Sequence, residues 1–407
     1  MKNFFKLFFI GVLLFALLEM CSSCRRGKSH ESDGIADVAA IMDSAARITP
    51  VYAKGFTVKY QENGVRLVDI ADPQKRAKGK RRQSKTAAGT IRSNYMEDTY
   101  HFALIPRGVK TKVPANYIPV EVPIRRTIVM TAIQLSNFTV LDAHDVIKGV
   151  TGTKNLFNKD IRARVKRGDI VKIGMEGNCD PELILAAHPE VIFISPFKRG
   201  GYDTIKETGI TLVPHLGSKE LDPLGQAEWI KLVGMFVGKE KEANEKFKGI
   251  AERYNSLKAR VKTTADRPTI FSGEIHGGNW SVIGGRNFLA QIFRDAGADY
   301  VLHDDNTGTG QMEFEAMYAA AAHADYWRIL NSYPGNFSYE ALESAEPRYA
   351  LFDAFKQKKV IYCNMKQTPY YESSPVMPDV LLSDLVFIFH PGLMPNDYRP
   401  TFYHLLK

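Results

Sequence analysis

The spacing of apolar and polar positions changes several times along this chain, and the changes mark its elements. From Tyr52 to Pro123 the period is two. GFTVKYQENGVRLVDI alternates on either side of Glu62-Asn63-Gly64, a hairpin signal, and YHFALIPRG and YIPVEVPIRR continue as strands. This predicts a small antiparallel β segment over 51–124. From Arg126 the pattern becomes mixed. TIVMT reads as a buried strand, QLSNFTVLDAHDVIKGV as a helix, and VIKGVT as the next strand. VKIG, PELILAAH, VIFISP, YDTIKETG and TLVPHL then alternate short helix and strand. Such alternation predicts an open, mostly parallel α/β sheet over 125–238 with right-handed connections. DPLGQAEWIKLVGMFVG closes that unit as a helix stopped near Gly238.

The segment 239–264 carries the longest helical signal. Ala243, Phe247, Ile250, Tyr254, Leu257 and Val261 recur at three- and four-residue steps, giving one apolar stripe on a charged rod. The rod is roughly 35 Å long at about 1.5 Å per residue. A second α/β series follows over 265–407: PTIFSGEI, the helix NFLAQIFRDAG, the turn HDDNTGTG, then EFEAMYAAAAH, YWRIL and KKVIYCNM. The expected fold is α/β: two lobes with mostly parallel sheets joined by one long connecting helix, plus the N-terminal antiparallel β segment. A single rigid connector argues against large hinge closure.

Composition narrows the picture. A chain of 407 residues with 44% apolar content suits two compact units with real cores. Much of the formal +9 charge sits in KRAKGKRRQSK, residues 75–85, which reads as a solvated loop, so no nucleic-acid partner is expected. At the N-terminus, Lys2 precedes an apolar run from Phe4 to Leu18, too short to span a bilayer and suited to a signal peptide. The run ends in MCSSC, which resembles a bacterial lipoprotein signal. That implies a signal peptide over 1–24 and lipidation at Cys24, after Ser22-Ser23, with Cys21 as the alternative. Residues 25–50 then read as a polar tether. Cys179 and Cys363, in different halves, form neither a disulfide framework nor zinc spacing.

Several stretches together resemble the class III periplasmic substrate-binding lipoproteins of ABC importers, the group that handles iron-siderophores, haem and cobalamin. They are RTIVMTAIQLSNFTVLDAHDVIKGVT, VKIGMEGNCDPELILAAHPEVIFISP, PLGQAEWIKLVGMFVGKEKEANEKF and MPDVLLSDLVFIFHPGLMP. The resemblance covers about residues 125–392, and the β segment before it looks like an addition found in a subset of such lipoproteins. It implies ligand held between two lobes, and one exposed glutamate per lobe docking onto arginines of the permease. Glu182 in DPELIL and Glu315 in EFEAMY fall on those positions, with Glu313 a rival in the second. A carboxylate at a helix N-terminus is favoured by the helix dipole by about 0.3–1 kcal/mol and remains able to bind a guanidinium.

Ligand contacts in such a receptor should come from loops at strand C-terminal ends. In the first lobe these supply Thr131, Gln134, Met175, Glu176, Asn178, Phe197, Lys198 and Arg199. In the second they supply His276, Trp280, Gln311 and Tyr371, with glycines on either side expected to keep Trp280 accessible. The cations Lys198 and Arg199 suit the carboxylates of an anionic iron chelate or of haem. Only His276 stands at a plausible loop tip, which favours a complexed metal over a free ion, and no protein metal site or cofactor is expected. GxSxG and HExxH are absent, Ser272 and Cys179 lack a His-acid partner by spacing, and HGGNWSVIGG matches neither GxGxxG nor a P-loop. No catalytic residue is expected. The expectation is a monomeric, lipid-anchored periplasmic receptor that hands a ferric siderophore or haem to an ABC permease. A cobamide receptor is the alternative, and a lipid-anchored hydrolase the rival from another class.

Overall fold

The computed structural model describes residues 44–77, 99–152, 156–175, 178–195 and 202–407. The first sheet is built from β1 (Phe56–Tyr60), β2 (Arg66–Ala71), β3 (Thr99–Pro106) and β4 (Ile118–Val122). Strands β1, β2 and β3 pair antiparallel, and the Gln61 amide closes the predicted turn on the Val65 carbonyl at 2.8 Å. The fourth strand departs from the alternation. The connection over 107–117 carries the chain back along the sheet, so β4 pairs parallel with β3.

The first lobe contains β5 (Thr127–Val129), α1 (Ala132–Val140), β6 (Ile147–Val150), α2 (Lys159–Arg167) and β7 (Val171–Lys172). A two-strand hairpin follows, β8 (Gly174–Met175) with β9 (Asn178–Cys179), then α3 (Pro181–Ala186), β10 (Val191–Ile194) and β11 (Thr211–Pro214). The main sheet has the order β11-β10-β5-β6-β7 and is parallel throughout. Its central strands are buried at every position, as expected of a parallel sheet covered on both faces.

Helix α4 (Trp229–Val237) ends on Gly238, whose φ of 69° lies in the left-handed region that glycine adopts freely. That cap turns the chain directly into α5 (Glu240–Val261), the connecting helix. All six stripe residues of α5 are buried, and its ends carry Glu240 and Glu242 at the start and Lys258 and Arg260 in the last turn. On the side of the second lobe, Tyr254 donates to Asp295 at 2.7 Å, Lys258 pairs with Asp295 at 3.0 Å, and Arg253 pairs with Asp379 at 2.7 Å. On the other side, Glu240 is bound by the buried Arg66 of β2.

The second lobe runs through β12 (Thr269–Ser272), β13 (Ile275–His276), β14 (Asn279–Ile283), α6 (Phe288–Asp295), β15 (Asp299–Tyr300), β16 (Thr309–Met312), α7 (Phe314–Ala321), β17 (Tyr326–Asn331), β18 (Val360–Asn364), α8 (Tyr370–Ser373), α9 (Pro378–Phe389) and β19 (His404–Leu405). Its main sheet, β15-β12-β17-β18-β19, is parallel except for the last pair. A separate antiparallel sheet, β13-β14-β16, occupies the stretch expected to be a glycine-rich loop.

Alternate strand residues enter different cores. Val129, Phe193 and Ile270 join one buried cluster that passes through Phe236, Phe247 and Tyr254 to Phe293 and Leu385. Ile128 and Ile192 face a second cluster, and Phe271 and Trp327 a third. The central cluster also takes in Ile48, Phe56 and Phe102 from the N-terminal segment. Residues 44–50, within the stretch expected to be a tether, pack on the body. Asn244 of α5 donates to the Ala45 and Arg47 carbonyls at 2.9 and 3.1 Å. The amides of Val51, Tyr52 and Ala53 all donate to Glu228, and those of Lys54 and Gly55 to Glu220. Two buried carboxylates thereby satisfy the amides of a backbone stretch that precedes the first strand. Among the described residues no helix is long and apolar enough to cross a membrane. The run Phe4–Leu18, Cys21 and Cys24 lie outside them, as does the basic tract beyond residue 77.

Candidate functional site

The strand ends of the two lobes carry the cavities. In the first lobe, Thr131 caps α1. Its Oγ1 accepts from the Gln134 amide at 3.2 Å, and Gln134 Oε1 accepts in return from the Met130 and Thr131 amides at 2.8 and 3.2 Å. This reciprocal capping box explains why TAIQ begins a helix immediately after a strand. Gln134 is buried, its Nε2 without a partner among the described residues, so its acceptor holds the helix start. Thr131 and Ala132 line a cavity of about 230 Å³ with Leu135, Val150, Thr151 and Leu156. Met175 and Asn178 face each other across the β8–β9 hairpin, both exposed. Glu176, Phe197, Lys198 and Arg199 lie outside the described residues.

In the second lobe a cavity of about 580 Å³ brings together three predicted residues, His276, Gln311 and Tyr371, with Ser272, Glu274 and Arg328. Trp280, expected to be accessible, is not. It is fully buried, its Nε1 donates to the Ser272 carbonyl at 3.1 Å, and it sits among Phe271, Trp327, Tyr349 and Phe352. The reason is strand periodicity: in β14 Trp280 and Val282 point inward while Asn279, Ser281 and Ile283 are half-buried on the other side. Beneath this sheet Gly273 has a φ of +105°, and a Cβ there would stand 1.9 Å from the Ser281 carbonyl oxygen. Only glycine lets the end of β12 pass so close to β14.

Arg328 and Glu274 were not singled out by the sequence, although an arginine inside the apolar strand YWRIL is a legible anomaly. Arg328 donates from Nε and Nη2 to the Tyr403 hydroxyl at 3.1 and 2.7 Å and from Nη1 to Ser272 at 3.4 Å. Glu274 accepts from Asn331 Nδ2 at 3.3 Å and lies 3.5 Å from His276 Nε2. Burial pushes its carboxyl up from the ordinary value, against Asn331, His276 and Arg328, which pull it down. A smaller cavity of about 310 Å³ shares Glu274 and His276 and adds the rings of Tyr333, Phe337 and Tyr349. Among the described residues no group of three or more His, Cys, Asp and Glu side chains is arranged to hold a metal ion.

The lobes meet between these cavities. Helix α8 packs on α1, and Glu372 of α8, 8% exposed, accepts from the Phe157 and Asn158 amides of the first lobe. Tyr371 on the same helix lines the second-lobe cavity, while the start of α1 lines the first-lobe one.

Away from the cavities, Asp180 caps α3 through its Oδ1, which accepts from the Glu182 and Leu183 amides at 2.9 and 3.3 Å. Glu182 is thus left exposed beside the exposed Leu183 and Leu185. In α7 the N-cap position is Glu313, whose side chain makes no capping bond. Glu315 is exposed and lies 3.6 Å from Arg348, a guanidinium that also covers the Phe314 ring at 4.3 Å.

A family model described as periplasmic binding protein matches residues 129–366. An uncharacterized lipoprotein of Methanocaldococcus jannaschii is 28% identical over 406 residues, covering 95% of this chain and 93% of its own. Among solved structures, a periplasmic haem-binding protein of Pseudomonas aeruginosa superposes with a TM-score of 0.55 at 16% identity, over 69% of this chain and 97% of its own. The Haemophilus influenzae protein MolA, bound to molybdate, gives 0.53 at 19% identity, over 66% of this chain and 87% of its own. These two likenesses are of fold.

Proposed function

Because the chain belongs to the periplasmic binding protein family, whose members bind solutes without transforming them, we propose that it is a lipid-anchored receptor that hands a metal complex, a ferric siderophore or haem, to an ABC importer. The observation that carries this reading is the pair of cavities at the strand ends, one on each side of the α1–α8 junction. Pockets of this size at strand C-termini are where open α/β sheets take ligands. The haem taken by the Pseudomonas protein supports a metal complex as cargo. The lipoprotein relative supports an anchor at Cys24, and the soluble body then works at the membrane surface.

Glu182 and Glu315 are assigned to permease docking. Both are exposed and begin short helices, one in each lobe, so each carboxylate is free to meet an incoming guanidinium. Arg348 holds Glu315 only loosely, because both side chains are exposed and water screens the pair. The test separates capture from delivery. The double variant Glu182→Ala, Glu315→Ala should bind haemin or a ferric siderophore as the parent does while uptake by cells falls to background. Undiminished uptake would remove the docking role, and a parent protein saturated by neither ligand would remove the cargo assignment.

A further inference from the structure

Arg328 presents a positive charge that no carboxylate among the described residues meets with a hydrogen bond. The residue is 7% exposed, stands on the central strand β17, and lines the cavity of about 580 Å³. Its neighbours Trp327 and Ile329 turn to the aromatic core on the opposite sheet face. Every hydrogen bond of its guanidinium goes to a hydroxyl: Tyr403, Ser272 and, at 3.5 Å, Tyr370. Tyr370 and Tyr403 bond to each other at 2.8 Å, which fixes both against the guanidinium. Hydroxyls solvate a cation without neutralising it. Glu274, the acid of the same cavity, makes no ion pair with Arg328 and is engaged by Asn331 and His276. Burying a charge costs several kcal/mol unless a counter-charge accompanies it. Among the described residues no carboxylate is bonded to the guanidinium, Glu274 acting on it only across the cavity, and the cavity is where a bonded one would arrive.

We propose that Arg328, oriented by Ser272, Tyr370 and Tyr403, is an oxyanion site at which a carboxylate of the cargo docks. The assignment rests on the receptor reading above and specifies its chemistry. Hydroxyls engage four of the five guanidinium N–H groups, which leaves one on Nη1 to give a carboxylate oxygen a charge-assisted hydrogen bond. A free tetrahedral oxyanion presents the same chemistry, but it would leave most of this cavity empty. The volume is that of a site for a drug-sized guest. Gln311 and Tyr371, both exposed, stand around the same cavity as neutral contacts for the body of the complex.

The test compares haemin with its dimethyl ester, the same complex with its carboxylates masked, and adds ferric citrate and sodium molybdate, each titrated into the full mature chain. Masking the carboxylates and the substitution Arg328→Gln should each weaken haemin binding by on the order of ten- to a hundredfold. The two should not add, because the ester should be indifferent to residue 328. Ferric citrate should lose affinity in the variant as haemin does. Molybdate bound in an Arg328-dependent way, with the chelates ignored, would keep the oxyanion site and assign it to a free ion. If the variant does not fold, the structure of the parent with haemin decides: a propionate oxygen within hydrogen-bond reach of the Arg328 guanidinium is expected, and propionates lodged elsewhere overturn the site. Haemin and ester bound equally by the parent defeat the oxyanion site and leave the receptor reading standing. Binding of no probe defeats both.

Discussion

His215 shows what one buried side chain contributes to the pH response of the fold. Its ring packs on Trp229 at 4.8 Å, its Nε2 has no partner among the described residues, and burial drops its pKa to about 3. The unfolded chain therefore takes up this proton below pH 6.5, while the folded chain refuses it until about pH 3. Stability must fall as the pH drops through that window, by about 2 kcal/mol between pH 7 and pH 5 from this group alone. His215→Gln should flatten that portion of the profile in urea titrations at the two pH values. An unchanged difference between pH 7 and pH 5 would show that the proton is accepted in the folded state. Arg328 belongs to the same scale: a lone cation in YWRIL was visible in the sequence, but its surroundings were not. Ser272 comes from β12, Tyr370 from α8 and Tyr403 from the C-terminal segment, all distant in the chain from Arg328.

Among elements, α5 was the most legible, because a stripe at three- and four-residue steps has one geometric solution and all six of its positions are buried. The β14 hairpin was legible too, but was missed. HGGNWSVIGG contains a Gly-Gly two-residue turn and an alternation, Trp280 and Val282 inward, that together signal a hairpin, yet the glycines dominate the pattern. Its misreading as a loop is what made Trp280 look accessible. The capping box of α1 was equally present in TAIQ, with Gln134 serving the backbone where a ligand contact was expected. The four-residue helix α8 could not be read at all, since its value lies in two contacts across the lobes. Glu372→Ala should free the Phe157 and Asn158 amides, seen as faster hydrogen exchange over 156–161 with the thermal midpoint only slightly lowered. Unaltered protection there would mean that α8 does not clasp the lobes.

For the whole molecule, the domain order followed from the alternation of strand and helix, but the union of the parts did not. Phe56 and Phe102 of the N-terminal sheet touch Trp229 and Phe236 of α4, and the same core continues through α5 into α9. Nothing in the period-two pattern of 51–124 tells which surface its apolar face will cover. With one core running through segment, lobes and connector, calorimetry should find a single cooperative transition. Separate transitions for the N-terminal segment and the lobes would contradict that continuity.

The indole rings carry an optical consequence. All three tryptophans of the chain, Trp229, Trp280 and Trp327, are sealed from water. Two of them lie 5.6 Å apart, bonded to the carbonyls of Ser272 and Gly273 that form the cavity wall. Emission should therefore begin at short wavelength and move to the red only on denaturation. A coloured guest beside Arg328 would dim Trp280 and Trp327 through space and touch neither. Brightness then reports occupancy, and hue reports integrity.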